Sequence, residues 1–257
     1  MIARMERFIA HDIPPDIDIR VMRQMPALPA DLEAHIDVLW ARASARVEAG
    51  GAGKLFNGRI VSIDAIEPGR IACHLTEYRR HVAQSEDTAL FSELGIRSLS
   101  ACGVLRCADG IAIGRRPPGA VYQPGMWQLC PAGSVDAGVV GEGGVVDCHA
   151  QLLLELHEEL GLAPDQVGPV TTLCLVEHPG SHVCDLAMTV TTALGAGAVL
   201  AAHKAHGNGE YDPLRIVPIA ELPAFIERAG AALVPPAPMF LARAGLLPQG
   251  FSPPTGP

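Results

Sequence analysis

Three glutamates recur at helical spacing near the middle of the chain: Glu155, Glu158 and Glu159. Positions i, i+3 and i+4 lie on one stripe of a helix, so the three carboxylates converge within a single turn. Like charges repel there, and the arrangement is favourable only if a cation lies between them. Hard oxygen ligands suit Mg²⁺, with Mn²⁺ as the alternative, especially where substrate phosphates complete the shell. A solvated acidic helix face is the competing interpretation.

The surrounding residues predict the helix that must carry these glutamates. Asp147 is suited to cap its first turn, and Gly161 stands where a left-handed residue would end it. No Gly or Pro interrupts residues 148–160, which are rich in Leu, Ala, Gln and Glu. The apolar stripe expected to face a core consists of Leu153, Leu156 and Leu160.

This segment resembles the signature of the Nudix hydrolases. Residues 155–162 match its E-U-x-E-E-x-G-U end, where U is aliphatic, without a gap. Pro131-Ala132-Gly133 resembles the Pro-Gly-Gly that opens the signature, and Gly138 resembles the glycine before its first glutamate. The resemblance implies an α+β protein with a Nudix fold, an α/β/α sandwich around a mixed sheet. It also implies that Glu155, Glu158 and Glu159 hold the metal.

The sequence departs from that signature at two places. Leu154 occupies the position of the family's Arg, which helps to orient the glutamates. The stretch between Gly138 and Glu155 is about seven residues longer than the signature allows, so the first glutamate has no residue in register. Glu142 and Asp147 are the candidates to replace it.

Composition restricts the class of protein. A chain of 257 residues can bury one large core or two small ones, and with 49% hydrophobic but 4% aromatic residues that core is aliphatic. No apolar run reaches the roughly 18 residues of a membrane helix, and the N-terminus lacks a signal-peptide pattern. The net charge of −9 argues against binding nucleic acid. Seven scattered cysteines predict reduced thiols and a cytoplasmic location.

The N-terminal part, residues 1–95, is predicted to be an α+β extension. A strand is expected at 17–22, and Asp31 is expected to cap a helix with an apolar stripe that ends before Gly50. Strands at 59–66 and 70–75 are joined by Glu67-Pro68-Gly69. Residues 76–80 then form a basic turn, and a short polar helix covers 84–94.

Part of this extension resembles the Nudix-type UDP-glucose hydrolases, through Leu55-Phe56-Asn57-Gly58 before the hairpin and Leu75-Thr76 with Tyr78-Arg79 after it. The resemblance implies a nucleotide-sugar substrate that is cleaved to a nucleoside monophosphate and a sugar phosphate. Coenzyme A, dinucleotides and ADP-ribose stay open. The side chains expected to contact substrate are Asn57, Arg59, Tyr78 and Arg79.

Residues 96–257 are predicted to form the catalytic domain. Asp109-Gly110 predicts a hairpin, after which Arg115, Arg116 and Trp127 resemble the strand, loop and Trp strand before the Nudix signature. Both arginines are candidates for bidentate phosphate binding. Further strands are expected at 126–130, 170–177, 182–191 and 215–218, and helices at 219–229 and 237–247. Glu210 is the candidate for a further acidic residue near the metals.

The expected activity is hydrolysis of a diphosphate, with Glu155 or Glu158 as the base. The expected partner is a small-molecule diphosphate substrate, and a homo-oligomer is possible. One alternative is a catalytically weak or dead module that binds a nucleotide, because Leu154 replaces the Arg. Another is an isomerase of prenyl diphosphates that uses Cys130. A zinc site is a further alternative, and its four residues would be Cys174, His178, His182 and Cys184.

Overall fold

A computed structural model describes residues 8–50, 54–248 and 251 of the protein. The strands are β1 (Ile9–His11), β2 (Asp18–Arg23), β3 (Arg59–Glu67), β4 (Arg70–Glu77), β5 (Leu99–Cys107), β6 (Gly110–Arg115), β7 (Trp127–Leu129), β8 (Ala132–Ser134), β9 (Thr171–Glu177), β10 (Cys184–Thr191) and β11 (Leu214–Val217). The helices are α1 (Ala30–Ala49), α2 (Tyr78–Glu86), α3 (Phe91–Leu94), α4 (Cys148–Leu160), α5 (Ala196–His206), α6 (Leu222–Ala229) and α7 (Ala237–Arg243).

The main sheet runs in the order β1-β9-β10-β5-β6-β11, with β8 added beside β5 and β7 beside β6. The sheet is mixed, because β10 pairs parallel to β5, whereas β9 pairs antiparallel to β10 and β6 pairs antiparallel to β5. Helices α4 and α5 cover one face, and helices α6 and α7 cover the other. The predicted α+β class, with helices on both faces of a mixed sheet, is confirmed.

The alternation of β5 explains why both faces of the sheet need cover. Leu99 and Ala101 point into the core beneath α4, while Cys102 and Val104 point into the core beneath α6 and α7. A strand that is apolar on both sides cannot be left exposed to water on either of them.

A second, three-stranded sheet has the order β2-β4-β3, and its buried side chains belong to the same core as those of α4. Helices α1, α2 and α3 share a smaller core of their own. Strand β3 of the second sheet is bonded to the main sheet region, since the Val61 N–H donates to Val135 O and the Ile63 N–H donates to Arg97 O, both at 2.8 Å. Strand β1 pairs with β9 at the edge of the main sheet. The boundary at residue 95 stays a prediction.

Some elements differ from their predictions because tertiary contacts replace local signals. Helix α1 begins at Ala30, so Asp31 lies inside its first turn and does not cap it. Helix α2 begins at Tyr78, where a turn was expected, and Asn57 Oδ1 accepts from the Arg79 N–H at 2.9 Å. Helix α5 was not predicted, and its first N–H group, that of Ala196, donates to the Asp109 carboxylate of the β5–β6 hairpin.

All seven cysteines are unpaired and buried, as predicted for reduced thiols. In the part of the chain that the structure covers, no helix is both long enough and apolar enough to cross a bilayer.

Candidate active site

Helix α4 presents the glutamates as its sequence predicts. The Asp147 carboxylate accepts from the Ala150 N–H at 2.9 Å, and Gly161 ends the helix with φ of 68°. Leu156 and Leu160 are fully buried against the sheet. The glutamates therefore lie at the boundary of the core, where Glu159 is buried and Glu158 is exposed.

Strand β8 forms the floor beneath these carboxylates. The Ala132 N–H donates to Glu159 Oε2 at 3.0 Å. A Cβ atom at Gly133 would collide with Glu155 Oε1, so a larger residue there would displace the carboxylate from its present position. Ser100 Oγ donates to Gly133 O at 3.0 Å and fixes the floor to β5.

The carboxyl groups of Glu155 and Glu159 are both shifted toward their neutral forms. Burial raises the pKa of Glu155 to about 7, and repulsion from Glu210 and Glu158 adds to the rise. Burial raises the pKa of Glu159 well above its usual range, with further repulsion from Glu210 and Glu155. Glu159 Oε1 is buried and has no hydrogen-bond partner among the described residues.

Gln151 holds Glu155 in place. Its Nε2 donates to Glu155 Oε1 at 2.8 Å, and its Oε1 accepts from the Asp136 N–H at 3.1 Å. Sequence reasoning missed this residue, although it lies four positions before Glu155 and therefore on the same helix stripe. Leu154, which replaces the Arg of the signature that this segment resembles, is 48% exposed and lines an apolar groove with Val140, outside the cleft that holds Glu155.

Glu210 approaches from the loop after α5. The Asn208 N–H donates to Glu158 O at 2.9 Å, which docks this loop on α4, and Asn208 Oδ1 accepts from the Glu210 N–H at 2.9 Å. Burial raises the pKa of Glu210, while the nearby Arg116 opposes the rise. Glu210 is therefore a fourth carboxylate that acts electrostatically on the α4 glutamates.

Arg116 brings positive charge to the same place. Its Nη1 donates to Gln128 Oε1 at 2.6 Å and lies 3.8 Å from Glu210 Oε1. Its Nε is buried and lacks a partner within the described ranges. A guanidinium with a free donor beside a cleft is suited to bind a phosphate oxygen.

A cleft of about 260 Å³ lies at this place, and its lining includes Glu155, Gly133, Arg116, Glu210 and Tyr78. A second pocket of about 540 Å³ adjoins it and is lined in part by Val47, Leu55 and Pro117. Both pockets are lined by Tyr78, Arg116, Val121 and Glu210. The Tyr78 ring packs edge-on against Trp40 with centroids 6.2 Å apart.

Other predicted site residues lie outside the cleft. Arg79 is bound by Glu33 at 2.6 Å, Asp37 at 2.8 Å and Glu77. Arg115 donates to Gly125 O at 3.0 Å, and Glu142 is exposed in the loop before α4. Neither Asn57 nor Arg59 lines either pocket.

Tyr122, His178 and Asp185 form a hydrogen-bonded chain at the cleft, and sequence reasoning missed both Tyr122 and Asp185. Tyr122 and Asp185 line the cleft, and His178 lies between them. The Tyr122 hydroxyl is 2.8 Å from His178 Nδ1, and His178 Nε2 is 2.5 Å from Asp185 Oδ2. The sequence analysis placed His178 only in the zinc alternative, and no local sequence signal pairs it with Tyr122 or Asp185.

The zinc and isomerase alternatives find no support in this geometry. His178 is engaged by Asp185 and Tyr122, and Cys174 and Cys184 are buried thiols. Cys130 is fully buried and its Sγ donates to Gln128 O, so it does not line the cleft.

The carboxylates beside the cleft are candidate ligands for a divalent cation. Within the described ranges no three His, Cys, Asp or Glu side chains are gathered around one point that could hold a metal ion. The chemistry of the donor set nevertheless fits a hard cation, because Glu159 Oε1 is buried without a partner and the neighbouring carboxylates repel one another.

No protein-family profile and no curated protein matches the chain. Among solved structures it is similar to a Deinococcus radiodurans protein with 15% identity and a TM-score of 0.41, over 56% of this chain and 82% of that one. A Clostridium perfringens hydrolase of the NUDIX family gives 11% identity and a TM-score of 0.37, over 58% and 95%. A C. elegans Ap4A hydrolase has 15% identity and a TM-score of 0.35, and the match covers 59% of this chain and 99% of that one. Similarity at these scores assigns no activity, so function is inferred from the side chains of the cleft.

Proposed function

We propose that this protein is a divalent-metal-dependent hydrolase of a nucleoside diphosphate derivative. One observation carries the proposal: Glu155, with its pKa raised to about 7, lies beside the unpartnered buried oxygen of Glu159 in a cleft that also holds Arg116. A base poised near neutral pH, an oxygen suited to a cation and a phosphate-binding guanidinium are the three components that diphosphate hydrolysis needs.

The residues that would hold Mg²⁺ or Mn²⁺ are Glu155, Glu158 and Glu159, and the ion would supply positive charge against the phosphoryl oxygens. An oxygen of Glu155 that no metal engages would take the proton of the attacking water, because burial makes this carboxyl more basic than a solvated one. Gln151 fixes that carboxylate before substrate arrives. We therefore favour Glu155 over the exposed Glu158 as the base.

Arg116 and Tyr78 would bind the diphosphate and the base of the substrate, respectively. Arg116 lines both pockets, so its guanidinium can meet a phosphate at their junction. Tyr78 offers an aromatic face in the same wall, which suits stacking by a base. The two adjoining pockets would accommodate a substrate with a group on each side of its diphosphate, and a nucleotide sugar such as UDP-glucose is the first choice.

A second candidate is a module that binds a nucleotide without turning it over. It is favoured by the observation that, in the part of the chain that the structure covers, no three acidic side chains are assembled around one point. It predicts binding without product, which turnover experiments separate from hydrolysis.

The test is a screen for released nucleoside monophosphate across nucleotide sugars, dinucleotides, coenzyme A and ADP-ribose, with and without Mg²⁺. We expect Mg²⁺-dependent release that Glu155→Gln lowers by at least roughly a hundredfold, as loss of a general base does. Glu227→Gln, an exposed glutamate on α6, is the matched control and should leave the rate unchanged. Binding of a nucleotide sugar without product in Mg²⁺ would favour the second candidate.

A further inference from the structure

The chain formed by Asp185, His178 and Tyr122 fixes the direction of its hydrogen bonds. The Asp185 carboxylate can only accept, so the neutral His178 ring carries its proton on Nε2, 2.5 Å from Asp185 Oδ2. Nδ1 is then an acceptor, and the Tyr122 hydroxyl at 2.8 Å must donate its single proton to it. The proton of Tyr122 is thereby committed away from the cleft.

The second contact of Tyr122 agrees with this direction. Ser181 Oγ lies 2.9 Å from the Tyr122 oxygen and accepts from the Val183 N–H at 3.5 Å, so its own proton is free to point to Tyr122. The phenol oxygen thus donates to His178 and accepts from Ser181, with one lone pair left. Burial raises the pKa of Tyr122 to about 12, which keeps the phenol protonated near neutral pH.

Tyr122 and Asp185 consequently give the cleft a wall whose remaining hydrogen-bonding capacity is that of an acceptor. Such a wall suits a group with O–H donors and disfavours phosphate oxygens, which also only accept. Arg116, with free donor capacity, lies at the junction of the two pockets. The cleft can therefore bind a phosphate at the junction, where the donors lie, and a hydroxyl-bearing group at this wall, where the acceptors lie.

We propose that Tyr122 is a specificity-determining residue whose phenol oxygen accepts a hydrogen bond from a hydroxyl of the polyhydroxylated group attached to the substrate diphosphate. His178 and Asp185 are positioning residues that keep this oxygen an acceptor. This inference rests on the proposed function only in its choice of substrate class, because the hydrogen-bond directions follow from the chain itself.

The experiment compares two non-hydrolysable uridine diphosphate esters with a methylene bridge between the phosphorus atoms, measured by calorimetric titration with Mg²⁺. One ester carries glucose and the other carries methyl, so the two have equal charge and differ in hydroxyl groups. We expect the wild type to prefer the glucose ester, and Tyr122→Phe to weaken that ester alone by roughly twofold to tenfold, the value of one hydrogen bond. The melting temperature of each variant checks its fold.

His178→Phe provides a second route to the same result, since it keeps an aromatic ring beside Phe8 but removes both nitrogens. It should reduce the preference for the glucose ester, whereas Ser181→Ala should retain it because His178 still takes the Tyr122 proton. The inference is overturned if the wild type shows no preference between the esters, or if Tyr122→Phe weakens both equally. It is also overturned if Ser181→Ala removes the preference as fully as His178→Phe does.

Hydrolysis and this subsite can fail separately. A Tyr122-dependent preference in a protein that cleaves none of the screened diphosphates would retain the subsite and reject the hydrolase. Cleavage of UDP-glucose together with unchanged binding by Tyr122→Phe would reject the subsite and retain the hydrolase.

Discussion

Gln151 Nε2 donates to Glu155 Oε1 across 2.8 Å, one helical turn away on α4. A carboxylate that accepts such a bond is stabilised in its charged form, so Gln151 lowers the pKa of Glu155 against the larger effect of burial. Leu154 faces outward, and the contact that fixes the glutamate comes from three residues earlier.

Gln151→Leu should therefore change the pH dependence of the reaction. Without the donor the pKa of Glu155 rises above its value of about 7, and a base with a higher pKa loses its charge at a higher pH. We expect the acidic limb of kcat/KM to move by about one pH unit toward higher pH. Gln24→Leu, at an exposed position, is the control and should leave the profile in place.

Glu155 should also make stability depend on pH when no divalent metal is present. Its pKa is raised from 4.5 to about 7 in the folded protein, so the folded state binds more protons than the unfolded state across that window. Stability should consequently fall as pH rises through it, by up to about 3 kcal/mol from this group. Urea unfolding of Glu155→Gln should show a smaller decline, and an equal decline in both proteins would contradict the raised pKa.

Glu159 is expected to be required for binding of the cation. A ligand that binds only the folded state raises its stability, by about 2.7 kcal/mol when present at one hundred times its Kd. The melting temperature of the wild type should rise with Mg²⁺ or Mn²⁺, and Glu159→Gln should abolish the rise. Glu142→Gln and Glu227→Gln should retain it, because both side chains are exposed and neither lines the cleft.

Leu154→Arg should be tolerated and should not accelerate the reaction. Leu154 is 48% exposed and does not line the cleft, so a guanidinium there reaches water without being buried. We expect a change in unfolding free energy within about 0.5 kcal/mol. An increase in kcat/KM would mean that the new side chain reaches the glutamates, and it would contradict this placement.

Arg79→Ala and Arg116→Ala should separate stability from substrate binding. Arg79 holds Glu33, Asp37 and Glu77 together, so its loss should cost roughly 1–3 kcal/mol of stability and leave KM unchanged. Arg116→Ala should raise KM for a diphosphate substrate, since it removes the free donor of the cleft. A raised KM in Arg79→Ala with its fold intact would restore Arg79 as a substrate residue.

Local sequence signals predicted α4 because all its determinants are local. Asp147, Gly161 and an uninterrupted run between them specify both ends of the helix without help from the rest of the chain. The hairpin at Asp109-Gly110 was predicted for the same reason. Helix α5 was missed because its first N–H donates to Asp109, which is 87 residues away.

The same limit applies to the cleft. The α4 glutamates could be predicted from their spacing, but Tyr122 and His178 are separated by 56 residues and meet only when the main sheet has formed. Arg79 and Arg116 look equally suited to phosphate in the sequence. The structure shows that Arg79 forms ion pairs with Glu33, Asp37 and Glu77, so its charge is already neutralised within the protein.

The placement of β1 at the edge of the main sheet has a consequence for any attempt to shorten the protein. A fragment that starts at residue 96 would keep α4 and the cleft floor, but the outer edge of β9 would lose its partner. Bare N–H and C=O groups along a flat strand are templates for pairing with another molecule. Such a fragment would also expose the core surface that Ile63 and Ile71 cover. We expect this fragment to aggregate on expression. The N-terminal residues would therefore protect the protein from self-association, because they cover the edge of β9 and part of the core.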